Sequence, residues 1–198
     1  MMRRLRRPDW LAELQGLTLL LMVVAVVVSA VRVVMVTFGD DAVPVELQAR
    51  DLGADDLSVG GATVGPDGAV EAYVSDPSGH QMLLSALTWI PTVVLVVAVL
   101  ALLFRAIRDA RSGDPFTTRM VRRLRILAVV ALVGGEVVAL TEAFSGMSLV
   151  GTVLPEPGAF HGVLTLPIGW VFAGFGFLAL GELIRRGRAL REELAEVI

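Results

Sequence analysis

Long apolar stretches alternate with short charged segments along this chain, the apolar ones at residues 17–36, 82–104, 124–144 and 163–184. Each is close to the ~20 residues with which a helix crosses the hydrocarbon core of a bilayer. The pattern predicts an all-α transmembrane protein, a four-helix membrane bundle forming a single domain over residues 1–198. The loop at 38–81 has another rhythm: Val43, Val45 and Leu47 alternate with Pro44, Glu46 and Gln48, the period of a strand. A second unit runs from Ala62 to Val64, through Gly65, Pro66, Asp67 and Gly68, and on from Ala69 to Val74. Proline presets φ and glycine supplies positive φ, so this segment predicts a turn joining two strands. A hairpin of this size holds no core alone, so the small β-rich extracytoplasmic loop between helices 1 and 2 is expected to pack on helix ends. It serves as a structural loop or as a ligand-binding cap.

Composition agrees with a lipid environment: mean hydropathy is +0.73 and 55% of residues are hydrophobic. The net charge of -3 conceals an asymmetry that fixes the expected threading. The two ends and the loop at 105–123 with its flank hold 15 of the 17 basic residues and have a balance of +8; the other side has Arg50 against ten acids. Arginine in short flanks is retained in the cytoplasm, so both termini and the loop at 105–123 are expected inside, with a cytoplasmic tail at 185–198. All basic residues are Arg, as in a GC-rich genome, which points to the cytoplasmic (inner) membrane of a bacterium. Val28, Ser29 and Ala30 loosely resemble a signal-peptide cleavage site, but the apolar run is longer than a signal core and continues past it, so an uncleaved anchor is expected.

Trp10, Trp89, Trp170, Phe104 and Phe160 sit near span ends, as interfacial rings do. Pro91 and Pro167 fall inside spans two and four, where each is expected to bend its helix. Small residues at Ala131, Gly135 and Ala139, and at Gly169 and Ala173, predict close packing of spans three and four, or a homo-oligomer through the same surface.

Ionisable residues within spans are costly and require a partner or a wet cavity. Glu136 lies roughly 18 Å into span three, at ~1.5 Å per residue. Arg32 is the only basic residue placed deep in a span, and it is expected to pair with Glu136 or Glu142 as a static tie or as part of a proton or ligand site. Glu182 is expected to reach Arg185 or Arg186. In the loop after span two, Gly113 suits a left-handed helix end, Asp114 a helix cap and Pro115 a first helical turn, which predicts a tight corner. Beyond it Phe116, Met120, Leu124 and Leu127 follow helical spacing, with Arg119, Arg122 and Arg123 on other faces. Those arginines either lie among anionic lipid head groups, the simpler arrangement, or face Glu192, Glu193 and Glu196 on a helical tail.

Gly113, Asp114, Pro115, Phe116 and Thr117, followed by Arg123 and Leu124 and by Leu180, Glu182, Gly187, Leu190, Glu192 and Glu193, resemble the bacterial membrane family catalogued as domain of unknown function 2975. The resemblance implies a four-helix integral membrane protein whose gene often neighbours a small helix-turn-helix regulator, and hence a regulatory partner in the cytosol. Related tails close with Asp before a Thr-Val pair, whereas this chain ends Ala195, Glu196, Val197, Ile198.

No phosphate-binding glycine loop, nucleophile elbow or helical histidine pair occurs. Cysteine is absent, and His80 and His161 alone make no metal set. The expectation is a non-catalytic membrane protein without cofactor, metal or direct nucleic-acid binding, with a regulatory or sensory role. The alternative is a small transporter or channel using Glu136.

Overall fold

A computed structural model describes residues 10–38, 42–48, 57–59, 62–64, 69–114, 116–154 and 166–197. Their order is α1 (Trp10–Phe38), β1 (Val43–Gln48), β2 (Leu57–Val59), β3 (Ala62–Val64), β4 (Ala69–Val74), α2 (Gly79–Leu87), α3 (Ile90–Ser112), α4 (Thr118–Gly151) and α5 (Ile168–Val197). Four helical segments are long and apolar enough to cross a membrane: Trp10–Met35, Gly79–Ser112, Thr118–Gly151 and Ile168–Leu194. These are the marks of a multi-pass membrane protein. The chain divides into two compact units, one of residues 1–27, 93–135 and 167–198, the other of residues 28–92 and 136–166.

The first unit is built on close helix approach. Met120, Leu124, Leu127, Ala128 and Ala131 of α4 are buried with Leu95, Val99 and Ala106 of α3. Adjacent glycines serve two neighbours: a Cβ on Gly134 would lie 2.7 Å from Leu95 Cδ1, and one on Gly135 2.8 Å from Trp170 Cγ. On α5, a Cβ on Gly174 would stand 2.7 Å from Leu132 Cδ2 and 3.2 Å from the Ala128 carbonyl oxygen. Lipid gives no hydrophobic drive between helices, so backbone approach at small residues supplies the contact. The expected α4–α5 contact is present at Gly135, but its α5 side uses Gly174 and Gly181, since nothing lies within 4 Å of a Cβ on Gly169. Trp170 packs on Gly135 rather than acting only as an interfacial ring.

In the second unit the strands pair differently from expectation. β1 pairs antiparallel with β4, Val43 opposite Val74 and Gln48 opposite Ala69, while β3 pairs with β2 and not with β4. The turn expected at Gly65 to Gly68 lies outside the described residues. Alternation in β1 holds: Val43, Val45 and Leu47 are buried and form a core with Leu84 of α2 and Leu149 of α4, flanked by Ala72, Val74, Met82, Val150 and Leu154. The ribbon is thus seated on helices, as its small size requires.

Span two is two helices. After Asp76, whose φ of 60° turns the chain, Ser78 and Gln81 form a capping box that starts α2. Gln81 Nε2 also donates to Thr152 Oγ1 at 3.1 Å, at the end of α4. α2 stops at Leu87, with Thr88 N–H donating to Ser85 O at 3.2 Å and Trp89 N–H to Ala86 O at 3.3 Å. Pro91 is the second residue of α3 and has no N–H to return to Leu87, four residues back, where α2 stops, so the disturbance expected of it in span two takes the form of a break. Pro167 precedes α5, its carbonyl accepting from Trp170 at 2.9 Å and Val171 at 3.2 Å. Residues 163–165 of span four, which precede it, lie outside the described residues, and with them the bend expected at Pro167.

Candidate functional site

The α3–α4 corner and the last turns of α5 form a clasp within the first unit. α3 ends at Ser112, and Gly113 does not take the left-handed backbone expected of it. Asp114 Oδ1 accepts the Phe116 N–H at 2.9 Å, an Asx turn, while the cap of α4 is Thr117, whose Oγ1 accepts the Met120 N–H at 3.3 Å. Asp114 therefore closes the corner without capping the helix, and Pro115 lies outside the described residues.

From α5, Arg191 reaches across to this corner. Its Nη1 lies 3.3 Å from Asp114 Oδ1 and 3.4 Å from Oδ2, and its guanidinium stacks 4.2 Å from the centroid of the Phe116 ring. One turn earlier, a Cβ on Gly187 would stand 2.8 Å from Phe116 Cε1 and 3.1 Å from Cδ1, so glycine lets the ring lie on the α5 backbone. Arg188 donates to Thr118 Oγ1 and is held by Glu192 at 2.7 Å within its own helix.

The alternative considered for the tail, glutamates of α5 facing arginines of α4, is replaced by a contact of the opposite sign. Glu192 is engaged by Arg188 in its own helix, and Arg123 pairs with Asp109 and donates to the Arg105 carbonyl at 3.2 Å. Among the described residues Arg119, Arg122 and Glu193 make no ion pair, and the Glu196 side chain falls outside the description. Two facts explain the reversal: an i,i+4 partner is always within reach on a helix, and Arg188 and Arg191, three apart, share the face that meets the corner. Asp109 was not singled out from the sequence, and Thr117 was named as part of the corner motif but not as the helix cap, which was assigned to Asp114. A serine or threonine just ahead of a helical pattern is the signal that identifies Thr117 as the cap.

Arg32, Glu136 and Glu142, expected to form one ion pair, have separate surroundings. Arg32 lies 4.9 Å from the centroid of the Trp89 ring, a cation–π contact at the break between α2 and α3. Glu142 Oε1 accepts the Thr92 N–H at 3.3 Å. Among the described residues no ion pair within 4 Å joins Arg32 to either glutamate, and Glu136 is exposed on α4 with no hydrogen-bond or ion-pair partner. The reason is the helix break: α3 begins with unsatisfied backbone donors at the positive end of its dipole, which can satisfy a carboxylate without a cation. Glu182 lies 2.6 Å from Arg185 Nη2 and 3.0 Å from Arg186 Nε, as expected. On β4, hydrogen bonding to Glu71 holds the exposed Tyr73 phenol above its ordinary pKa of 10.0.

Among the described residues no group of three or more His, Cys, Asp and Glu side chains is placed to hold a metal ion; His161 lies outside them. Four helical segments long and apolar enough to cross a membrane, two small two-stranded ribbons and a charged clasp are the features of a multi-pass membrane protein. A family model described as "Protein of unknown function (DUF2975)" matches residues 60–198, and the chain belongs to that family. The match takes in the corner and all of α2 to α5, while α1, β1 and β2 precede it. No curated protein and no solved structure matches the chain.

Proposed function

We propose that this is a non-catalytic protein of a bacterial cytoplasmic membrane, with both termini and the α3–α4 corner in the cytosol, that regulates a cytosolic partner through the α5 extension. The observation that carries the reading is the clasp of Asp114, Phe116, Gly187 and Arg191. Asp114 and Arg191 are exposed, and exposed ion pairs are worth only ~0.2–1 kcal/mol, so the extension is held by contacts that a partner can displace. The ribbon core against α2 and α4 gives the other side a surface able to receive a signal. The partner suggested by the family resemblance is a helix-turn-helix regulator.

The test is affinity capture from native membranes in mild detergent, comparing the wild type with Asp114→Asn and Arg191→Gln. A co-purifying DNA-binding protein whose yield changes when the clasp is weakened supports regulation. The same set of proteins from all three counts against it.

Glu136 favours a second reading, a small transporter or channel, because an exposed carboxylate without a partner among the described residues is the expensive group that ion pathways retain. Proton flux into liposomes from the wild type, lost in Glu136→Gln, selects transport. Equal flux in both, or none in either, removes it.

A further inference from the structure

The arginines of the first unit fall into two electrostatic classes. Arg185 and Arg186 share Glu182, Arg188 has Glu192, Arg191 has Asp114 and Arg123 has Asp109, so each is wholly or partly neutralised within the chain. Among the described residues Arg105 and Arg108 of α3 are exposed without an acidic partner, and so, on α4, are the three arginines Arg119, Arg122 and Arg125. At 100° per residue these three occupy an arc of roughly 120°. The same arc continues along α4 with Ile126, Val129 and Val133, which are 44%, 56% and 59% exposed. Uncompensated guanidinium groups thus stand directly at one end of a bare aliphatic stripe on a single helix.

The geometry points to a site for one anionic phospholipid, its phosphate held by Arg119, Arg122 and Arg125 and an acyl chain laid along Ile126, Val129 and Val133. Both halves of the occupant are needed by what the helix presents. A guanidinium offers paired N–H donors matched to phosphate oxygens, and Ile126, Val129 and Val133 have no polar group for a solute that lacks a hydrocarbon chain, the exposed Glu136 being the next residue on the arc. A soluble anion would leave the stripe uncovered, and a neutral lipid would leave the charges uncompensated. This site does not depend on the clasp, whose arginines are already engaged.

The experiment is native mass spectrometry of the full chain released from micelles containing equimolar phosphatidylglycerol and phosphatidylcholine. The wild type is expected to retain phosphatidylglycerol selectively. Each arginine near an anionic surface contributes roughly fivefold, so Arg122→Gln should lower the selectivity about fivefold and the triple change Arg119→Gln, Arg122→Gln, Arg125→Gln about a hundredfold. Arg185→Gln with Arg188→Gln should leave it unchanged, and lysine at the three α4 positions should preserve most of it. Where the triple variant does not fold, the single Arg122→Gln decides. Undiminished selectivity in that variant, equal loss from the α5 pair, or displacement of the lipid by an equal concentration of inorganic phosphate would each overturn the assignment, as would a dimer that retains no lipid.

Discussion

Replacing Gly174 and Gly176 in turn by alanine isolates the contribution of helix approach in the first unit. Both residues lie in the interior of α5, so the gain from adding a methyl to a helical glycine, roughly 0.5–1 kcal/mol, is common to the two variants. Their surroundings differ. At Gly176 nothing lies within 4 Å of the added carbon, whereas at Gly174 it meets Leu132 Cδ2 at 2.7 Å and the Ala128 carbonyl oxygen at 3.2 Å. Leu132 Cγ is also crowded and is not the free end of a chain, so relief requires the helices to part. Overpacking of this kind costs typically ~1–3 kcal/mol. That is the expected gap in stability between Gly176→Ala and Gly174→Ala, because the propensity gain cancels. For a chain of this size it corresponds to roughly 2–12 °C in Tm. Thermal unfolding of both variants in the same detergent, followed by circular dichroism, measures it. A Gly174→Ala protein as stable as Gly176→Ala would refute close α4–α5 approach at this level.

Removing the carboxylate that receives the Thr92 N–H, as in Glu142→Leu, should lower stability by about 1–3 kcal/mol, while Glu142→Gln keeps an acceptor and most of the stability; equal Tm values for the two would argue against the cap. A double-mutant cycle on Arg32→Gln and Trp89→Leu should give a coupling of ~0.5–1 kcal/mol, and additive effects would exclude the cation–π contact. Ultraviolet titration of Tyr73 should show a midpoint above 10.0 that falls in Glu71→Gln; since the raised group holds its proton longer in the folded chain, its contribution to stability is complete below pH 10 and is lost as pH rises through the folded value. An unchanged midpoint in Glu71→Gln would remove the hydrogen bond as the cause.

Features set by local chemistry could be read directly from the residues. The four apolar stretches follow from the thickness of a bilayer, the buried row of Val43, Val45 and Leu47 from the two-residue period of a strand, and the small residues around Gly135 from the need for backbone approach in lipid. Partnership was decided by the tertiary structure, because it is a choice among alternatives with similar local signals. The strand rhythm of Ala62–Val64 and Ala69–Val74 suggested that the two pair with each other, and only the long-range register shows β4 with β1 and β3 with β2. Arg32 had two carboxylates at a suitable depth, yet the break before α3 supplied Glu142 with an N–H donor and Arg32 with an indole face. At the corner both signs of charge were available on both sides, and the choice of Arg191 with Asp114 rests on which face of α5 meets Phe116 through Gly187. Periodicity constrains a face of one element; which face it meets depends on distances between segments far apart in the chain.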